Sequence, residues 1–336
     1  MRRDFNVDRQ IAAIPEVVDG LLGMEVPALD PARPILFTGI GTSLHAARVA
    51  AGWIAMLTGG RVRPQALDAH DVGTFVPLRA EDQVVVISHR GYKIFPTAAL
   101  VRAREAGART LAIVGTAAPE QAADEVLRTC ANETAGTFTV SYLGSLTVLA
   151  LLAAAFDGSP DRAFARALRA LPQALAKTLR RGNPAAAAQA LSDAEVLLVV
   201  GFGLDLSTAA EAALKIKEGA WLWTEAMSPE FALHGTPASY RPGMAAAIIE
   251  PAEDDGGRTA LLFSVLDRLG LKTLAVGERD GLDLSFVSPH PLLRPLTGIV
   301  PLQRLTAELA RLRGTNPDTM HGDREPWRSV MTGIRL

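Results

Sequence analysis

Apolar residues in this chain fall in short unbroken runs. ILFTG starts at Ile35, DQVVVIS ends at Ser88, and EAGARTLAIVG ends at Gly115. Further along, LLVVG starts at Leu197, MAAAIIE ends at Glu250, and RLGLKTLAVG ends at Gly277. Runs without polar alternation predict strands covered on both faces, as in a parallel sheet. Segments of helical period follow them, so each half reads strand–helix–strand–helix–strand. Right-handed crossovers then give an α/β fold with two tandem doubly wound parallel-sheet domains. The longest run, LTVLALLAAAF at Leu146–Phe156, is too short to span a bilayer and predicts a buried core helix.

The two halves also resemble each other. ILFTGIGTSLHAARVAAGWIAM from Ile35 aligns with LLVVGFGLDLSTAAEAALKIKE from Leu197, each a strand, a G-x-G turn and a helix. The match continues through the next two strands at nearly the same offset, which marks an internal duplication. DRQIAAIPEVVDGLL predicts a helical N-terminal arm ended by VPALDPARP, and the Ala-, Arg- and Leu-rich stretch between Pro160 and Pro184 predicts a helical connector. The expected divisions are an arm at 1–30, a first domain with connector at 31–185, a second at 186–314, and a tail over the active site at 315–336.

Composition narrows the function. With 34 basic and 36 acidic residues, no basic block and 5% aromatics, a nucleic-acid partner is not expected. One cysteine, Cys130, excludes disulfide frameworks and thiolate metal sites, and the six histidines lack HxxxH or HExxH spacing. No metal and no cofactor is therefore expected. The N-terminus MRRDFNVDRQ lacks a signal-type apolar run. A cytoplasmic protein without a membrane partner is the expectation.

In open α/β sheets, ligands sit at the carboxyl ends of the strands. Both G-x-G turns fall there, as does Ser88. Neither turn is a dinucleotide fingerprint, because the third glycine position holds Leu44 or Leu206. Gly41, Thr42 and Ser43 form either an anion cradle of backbone N–H groups and hydroxyls or a simple helix cap. The helix after the second turn carries EAALKIKE, which sets Glu211, Lys215 and Glu218 on one face. Alone, that spacing fits a solvated ion-pair stripe as well as acid–base machinery.

The two halves resemble the sugar isomerase (SIS) domain, and the whole chain resembles the isomerase part of glucosamine-6-phosphate synthase and its relatives lacking a glutaminase domain. The match is most specific over EAALKIKEGAWLWTEAMSPEFALHGTP, Glu211–Pro237. There the family's A-E dipeptide has become Thr224–Glu225, and its H-G-P has become His234–Pro237. GTS at Gly41–Ser43 matches the first-half phosphate turn, and TNPDTM matches the family's NPD tail. The resemblance implies that Glu218 moves a proton between C1 and C2, that Lys215 and Glu211 orient the open-chain sugar and that base, and that His234 assists ring opening from the neighbouring subunit of a homodimer. It places Arg328 near the sugar and Thr139, a weaker candidate, near the sugar-contacting segment.

The family's phosphate loop S-x-S-x-x-T is altered here. In SHRGYK, Ser88 and Gly91 remain, while Arg90 and Lys93 replace a serine and a threonine. These cations either bind the phosphate by charge or mark a different substrate. Glu250 stands at the second-half position of Ser88, so one phosphate site per chain is expected, in the first half. The resemblance implies a phosphosugar aldose–ketose isomerase or an amino-sugar-phosphate deaminase. A fructosamine-phosphate deglycase and a non-catalytic sugar-phosphate-binding regulator are the alternatives. Glutamine-dependent synthesis is not expected of this chain alone, which has no N-terminal cysteine nucleophile.

Overall fold

The computed structural model describes residues 4–334. The chain opens with α1 (Asn6–Ala12) and α2 (Ile14–Leu21). It continues through β1 (Ile35–Gly39), α3 (Thr42–Leu57), β2 (Gln65–Asp68), α4 (Ala69–Thr74), β3 (Gln83–Ile87), α5 (Ile94–Glu105), β4 (Arg109–Val114), β5 (Glu125–Arg128) and α6 (Val140–Ala154). Helices α7 (Ala163–Leu168), α8 (Leu171–Leu179) and α9 (Pro184–Ala190) form the connector. The second half runs β6 (Val196–Val200), α10 (Asp205–Ala220), β7 (Trp223–Met227), α11 (Pro229–Leu233), β8 (Met244–Ile249), α12 (Arg258–Arg268), β9 (Lys272–Gly277), β10 (Leu284–Ser285), α13 (Arg294–Arg313) and α14 (Trp327–Gly333).

Among the described residues, the strands form two five-stranded sheets, ordered β2-β1-β3-β4-β5 and β7-β6-β8-β9-β10. Every pairing is parallel, for example Thr38 with Val86 in the first sheet and Val199 with Ala247 in the second. The two strand orders are the same once the halves are aligned, so the duplication holds in topology and the expected tandem α/β architecture is what the chain adopts. Strands β1, β3 and β8 are buried along their whole length, as their unbroken apolar runs require. Helix α6 is buried on nearly all sides, the core helix that LTVLALLAAAF predicted.

The chain packs as two compact units. One comprises Ala13–Glu133, Phe138–Pro172 and the segment from Pro326. Its core joins Leu36, Val84, Val86, Leu100, Ala112 and Val114. The other comprises the N-terminal segment through Ala12, Thr134–Thr137 and Gln173–Glu325. Leu198, Val200, Ile248, Leu262 and Leu266 form its core.

Both G-x-G turns need their first glycine for space. A Cβ on Gly39 would stand 2.5 Å from the Ser43 Cβ, and one on Gly201 would stand 2.2 Å from the Asp205 carbonyl oxygen. The missing side chain lets each helix start directly against the end of its strand. In the second unit, the carboxylate of Asp318, from the NPD motif, accepts the backbone N–H groups of Asn6 (2.8 Å) and Val7 (3.1 Å) at the start of α1. Arg311 pairs with Asp8 and packs over the Phe5 ring. These contacts seat the N-terminal helix on the C-terminal tail.

Candidate active site

In the second unit, α10 turns its conspicuous charges inward. Glu211 is 0% exposed, and the side chains of Lys215 and Glu218 are 2% and 25% exposed. The Lys215 ammonium stands 2.6 Å from Glu218 Oε2 and 3.6 Å from Glu211 Oε1. A solvated stripe would leave all three in water. Instead one lysine is shared by two carboxylates, an arrangement that needs each charge to offset the desolvation of the others. Glu218 alone of the three keeps appreciable contact with solvent. That is the placement a group needs to exchange protons with a bound molecule.

The far end of α10 is anchored as well. The Gly219 carbonyl accepts the Thr315 hydroxyl at 2.8 Å, and the Ala220 carbonyl accepts Arg313 Nε at 3.0 Å. Trp221 then leaves the helix with φ of 53°, a conformation that costs a non-glycine residue energy and stops the helix there. His234 ends the short helix α11 and is exposed.

In the first unit, Gly41 is the N-cap residue of α3, so neither Thr42 nor Ser43 is. All three are half-buried. Their backbone and hydroxyl groups sit at the positive end of a 16-residue helix, at the carboxyl edge of the sheet. Ser88 is buried, with its N–H on the Ile113 carbonyl at 3.0 Å.

The loop after Ser88 gathers positive charge. Arg90 donates to the Tyr92 hydroxyl at 3.0 Å, and its guanidinium lies 5.2 Å from the centre of the Phe138 ring. Lys93 is held below the usual lysine range by partial burial and by the nearby Arg90. The Arg90 hydrogen bond lowers the Tyr92 phenol, with Arg90 and Lys93 charges adding to it. The loop thus holds two like charges close enough for Arg90 to disfavour the protonated form of Lys93.

Thr139 is placed differently from the other candidates. It is buried at the start of α6, where its N–H and that of Ser141 donate to the Glu133 carboxylate at 2.8 and 2.7 Å. Its hydroxyl also reaches Glu133, at 3.2 Å. A protein carboxylate therefore already fills the N-terminus of α6. Arg328 lies exposed on α14.

His89 was not singled out in the sequence, where nothing separates it from an ordinary loop histidine. It is 8% exposed and stacks edge-on to Phe138 at 5.8 Å. Burial, then the Arg90 charge, lower its pKa, opposed by the Ala131 backbone. The imidazole is neutral at pH 7 and backs the cationic loop without adding charge. Cys130 is buried and its thiol is pushed up to about 11, chiefly by burial and also by Glu133, so it carries no thiolate at neutral pH.

The second unit uses the matching carboxyl edge in another way. The Glu250 carboxylate accepts Arg279 Nε at 3.0 Å. Buried Arg294 reaches Asp205, Glu278 and the Glu250 carbonyl. Carboxylates and arginines satisfy one another there. In the first unit the corresponding loop presents Arg90 and Lys93.

The fold is that of two tandem SIS-type α/β domains. Residues 28–155 match the SIS domain. The chain is 31% identical over 320 residues to the glutamine–fructose-6-phosphate aminotransferase (isomerizing) of Symbiobacterium thermophilum, covering 89% of this chain and 52% of that protein. The chain spans about half the length of the curated relatives it matches. Among solved structures, it is similar to the C-terminal domain of glucosamine-fructose-6-phosphate aminotransferase from Francisella tularensis. That likeness has a TM-score of 0.81 at 20% identity and covers 94% of this chain and 98% of that one. It is also similar to glucosamine-6-phosphate deaminase from Thermotoga maritima, with a TM-score of 0.74 at 20% identity over 94% of this chain and 97% of the other. Among the described residues, no helix is long and apolar enough to cross a membrane.

Proposed function

We propose that this chain is an enzyme that moves a proton between C1 and C2 of an open-chain sugar phosphate, as a phosphosugar aldose–ketose isomerase or an amino-sugar-phosphate deaminase. The observation that carries this reading is the buried Lys215 set between Glu211 and Glu218 on α10. Aldose–ketose interconversion passes through an enediol, or an enolamine for an amino sugar. Glu218 takes the proton from one carbon and returns it to the next. Lys215 stabilises the negative charge that develops on the sugar oxygen. Glu211 fixes Lys215 from the other side. His234 assists ring opening, working in the neighbouring subunit of a homodimer.

In the same proposal Gly41, Thr42, Ser43 and Ser88 bind the phosphate by N–H and hydroxyl groups. Arg90 and Lys93 bind it by charge, in place of the hydroxyls they replace. Arg328 and Thr139 contact the substrate more peripherally. Glu218→Gln tests the reading. It should fold as the parent does and lose exchange of solvent deuterium into glucosamine 6-phosphate or fructose 6-phosphate. Full exchange in that variant would refute the role of Glu218.

The altered loop favours one second reading, a sugar-phosphate-binding regulator without turnover. Thermal stabilisation by a panel of sugar phosphates, with no product and no ammonia from any of them, would favour that reading over the enzyme.

A further inference from the structure

Helix α13 touches α10 at both of its ends. Arg294, the first residue of α13, donates Nε to Asp205 Oδ2 at 3.0 Å, and Asp205 is the first residue of α10. Arg313, the last residue of α13, donates to the carbonyl of Ala220, the last residue of α10, at 3.0 Å. The two helices therefore run parallel, with an arginine of one on each terminus of the other. Thr315, just beyond α13, donates its hydroxyl to the Gly219 carbonyl as well.

The Arg294 end is the more elaborate. Besides Asp205, its guanidinium gives Nη1 to Glu278 Oε1 and Nη2 to the Glu250 carbonyl, both at 2.5 Å. The ring of Phe286 lies 4.9 Å from its Cζ. Asp205 follows β6, Glu250 follows β8 and Glu278 follows β9. One side chain thus ties the ends of two strands to the start of α10, at the edge where the first unit carries its Ser88 loop. The Arg294 and Asp205 side chains are 6% and 7% exposed. A buried pair of this kind adds little net stability compared with an apolar pair of the same size, but it specifies position, because both charges must stay in register.

We infer that α13 splints α10, and that Arg294 is a positioning residue for Glu211, Lys215 and Glu218, an inference that rests on the reading of that trio given above. A helix transmits an axial shift rigidly, at about 1.5 Å per residue, so what fixes Asp205 also fixes Glu218, roughly 20 Å further along. Misplacement of a reacting group by about 1 Å can cost on the order of a hundredfold in rate. Lysine cannot replace Arg294, since each of the three nitrogens meets a different partner and an ammonium lacks the planar fork.

Arg294→Lys tests the splint through two readouts. Amide hydrogen exchange across 205–220 should quicken at least about tenfold while exchange in the first unit is unchanged. With a phosphosugar that the parent turns over, kcat should fall about tenfold and KM stay within about twofold, the pattern of a lost transition-state geometry. In Arg294→Ala, low millimolar guanidinium should restore part of kcat, which it would not do for a variant that is merely unstable. Unchanged exchange together with unchanged kcat would overturn the inference.

Should Arg294→Lys fail to fold, the paired Arg294→Leu, Asp205→Leu variant removes both charges and keeps the volume. It should fold, yet still show fast exchange in α10 and lowered kcat; parental kcat in that folded pair would overturn the inference. If the parent turns over no phosphosugar, the proposed function fails, and the exchange measurement alone still decides whether α13 splints α10.

Discussion

The Lys215 ammonium lies 2.6 Å from a Glu218 oxygen, and the lysine is almost wholly buried while the glutamate keeps an exposed edge. The pair is asymmetric: one partner is held by the fold, and the other faces outward with its charge balanced from behind.

Removing the lysine should therefore cost stability as well as activity. Lys215→Met leaves Glu211 buried without that cation. The expected loss is about 3–5 kcal/mol, typical of breaking a buried pair from one side. Urea unfolding of Lys215→Met, and of Lys215→Met with Glu211→Gln, checks this. The second substitution should recover part of the loss.

Glu218→Gln should behave in the opposite way. The residue is a quarter exposed, so unfolding should shift by less than about 1 kcal/mol, while proton transfer falls about 10²–10⁴-fold, the usual weight of one positioned acid–base group. Thermal melts and a deuterium-exchange assay on the same preparation separate the two effects.

The cationic loop makes a prediction about anions. Arg90→Ser with Lys93→Thr restores the hydroxyl pattern seen in the family. Affinity for inorganic phosphate should become less sensitive to salt, because two charge contacts are lost. With the natural loop, phosphate binding should weaken as pH rises through the Lys93 pKa, which burial and Arg90 set below the ordinary 10.5. Binding calorimetry from pH 7 to 10 follows that loss, which the double variant should not show.

His89 predicts an acid-side loss of stability. Its folded pKa lies below the ordinary 6.5, so between the two values the unfolded chain binds the proton that the folded chain refuses. Stability from this group is complete above about 6.5 and falls as pH drops through the interval. Burial is the main cause of the shift, and the Arg90 charge adds to it. Melting temperatures of His89→Leu and parent, compared from pH 7.5 to 5, should converge towards the acid end.

Glu133 predicts a purely structural effect. It satisfies the N–H groups of Thr139 and Ser141 at the start of α6, so Glu133→Ala should cost about 2 kcal/mol. Thr139→Val should cost less. A rise in KM in Thr139→Val without a matching loss of stability would show a substrate contact.

What was legible in the sequence follows from how much signal each element carries. Strands β1, β3, β4, β6, β8 and β9 are central, and all but β9 are covered along nearly their whole length, so their apolar runs announce them. The edge strands are short, and β2, β5 and β7 are partly exposed. QALD at β2 and EVLR at β5 mix polar and apolar positions, and β10 is only Leu284–Ser285, so none offers a run to read. Helical spacing put Glu211, Lys215 and Glu218 on one face, but spacing cannot tell an inward face from an outward one; that depends on α13, the helix that α10 packs against. Arg294 was invisible for a related reason. Its partners Asp205, Glu250 and Glu278 come from three separate strand ends, and no local pattern joins residues so far apart in the chain. Glu133 likewise gave no cue, since its partners lie six and eight residues on, beyond any capping-box spacing.

The cap that Asp318 places on α1 also bears on synthesis. Asn6 and Val7 leave the ribosome well before the carboxylate that accepts their N–H groups, which lies 312 and 311 residues downstream. At about 5–20 residues per second, α1 waits on the order of 15–60 s for its partner. During that interval its apolar face, Val7 and Ile11, has no finished surface to settle on. A nascent chain stalled before Asp318 should therefore expose α1 to proteases and chaperones, and protection should arrive abruptly once Asp318 has emerged.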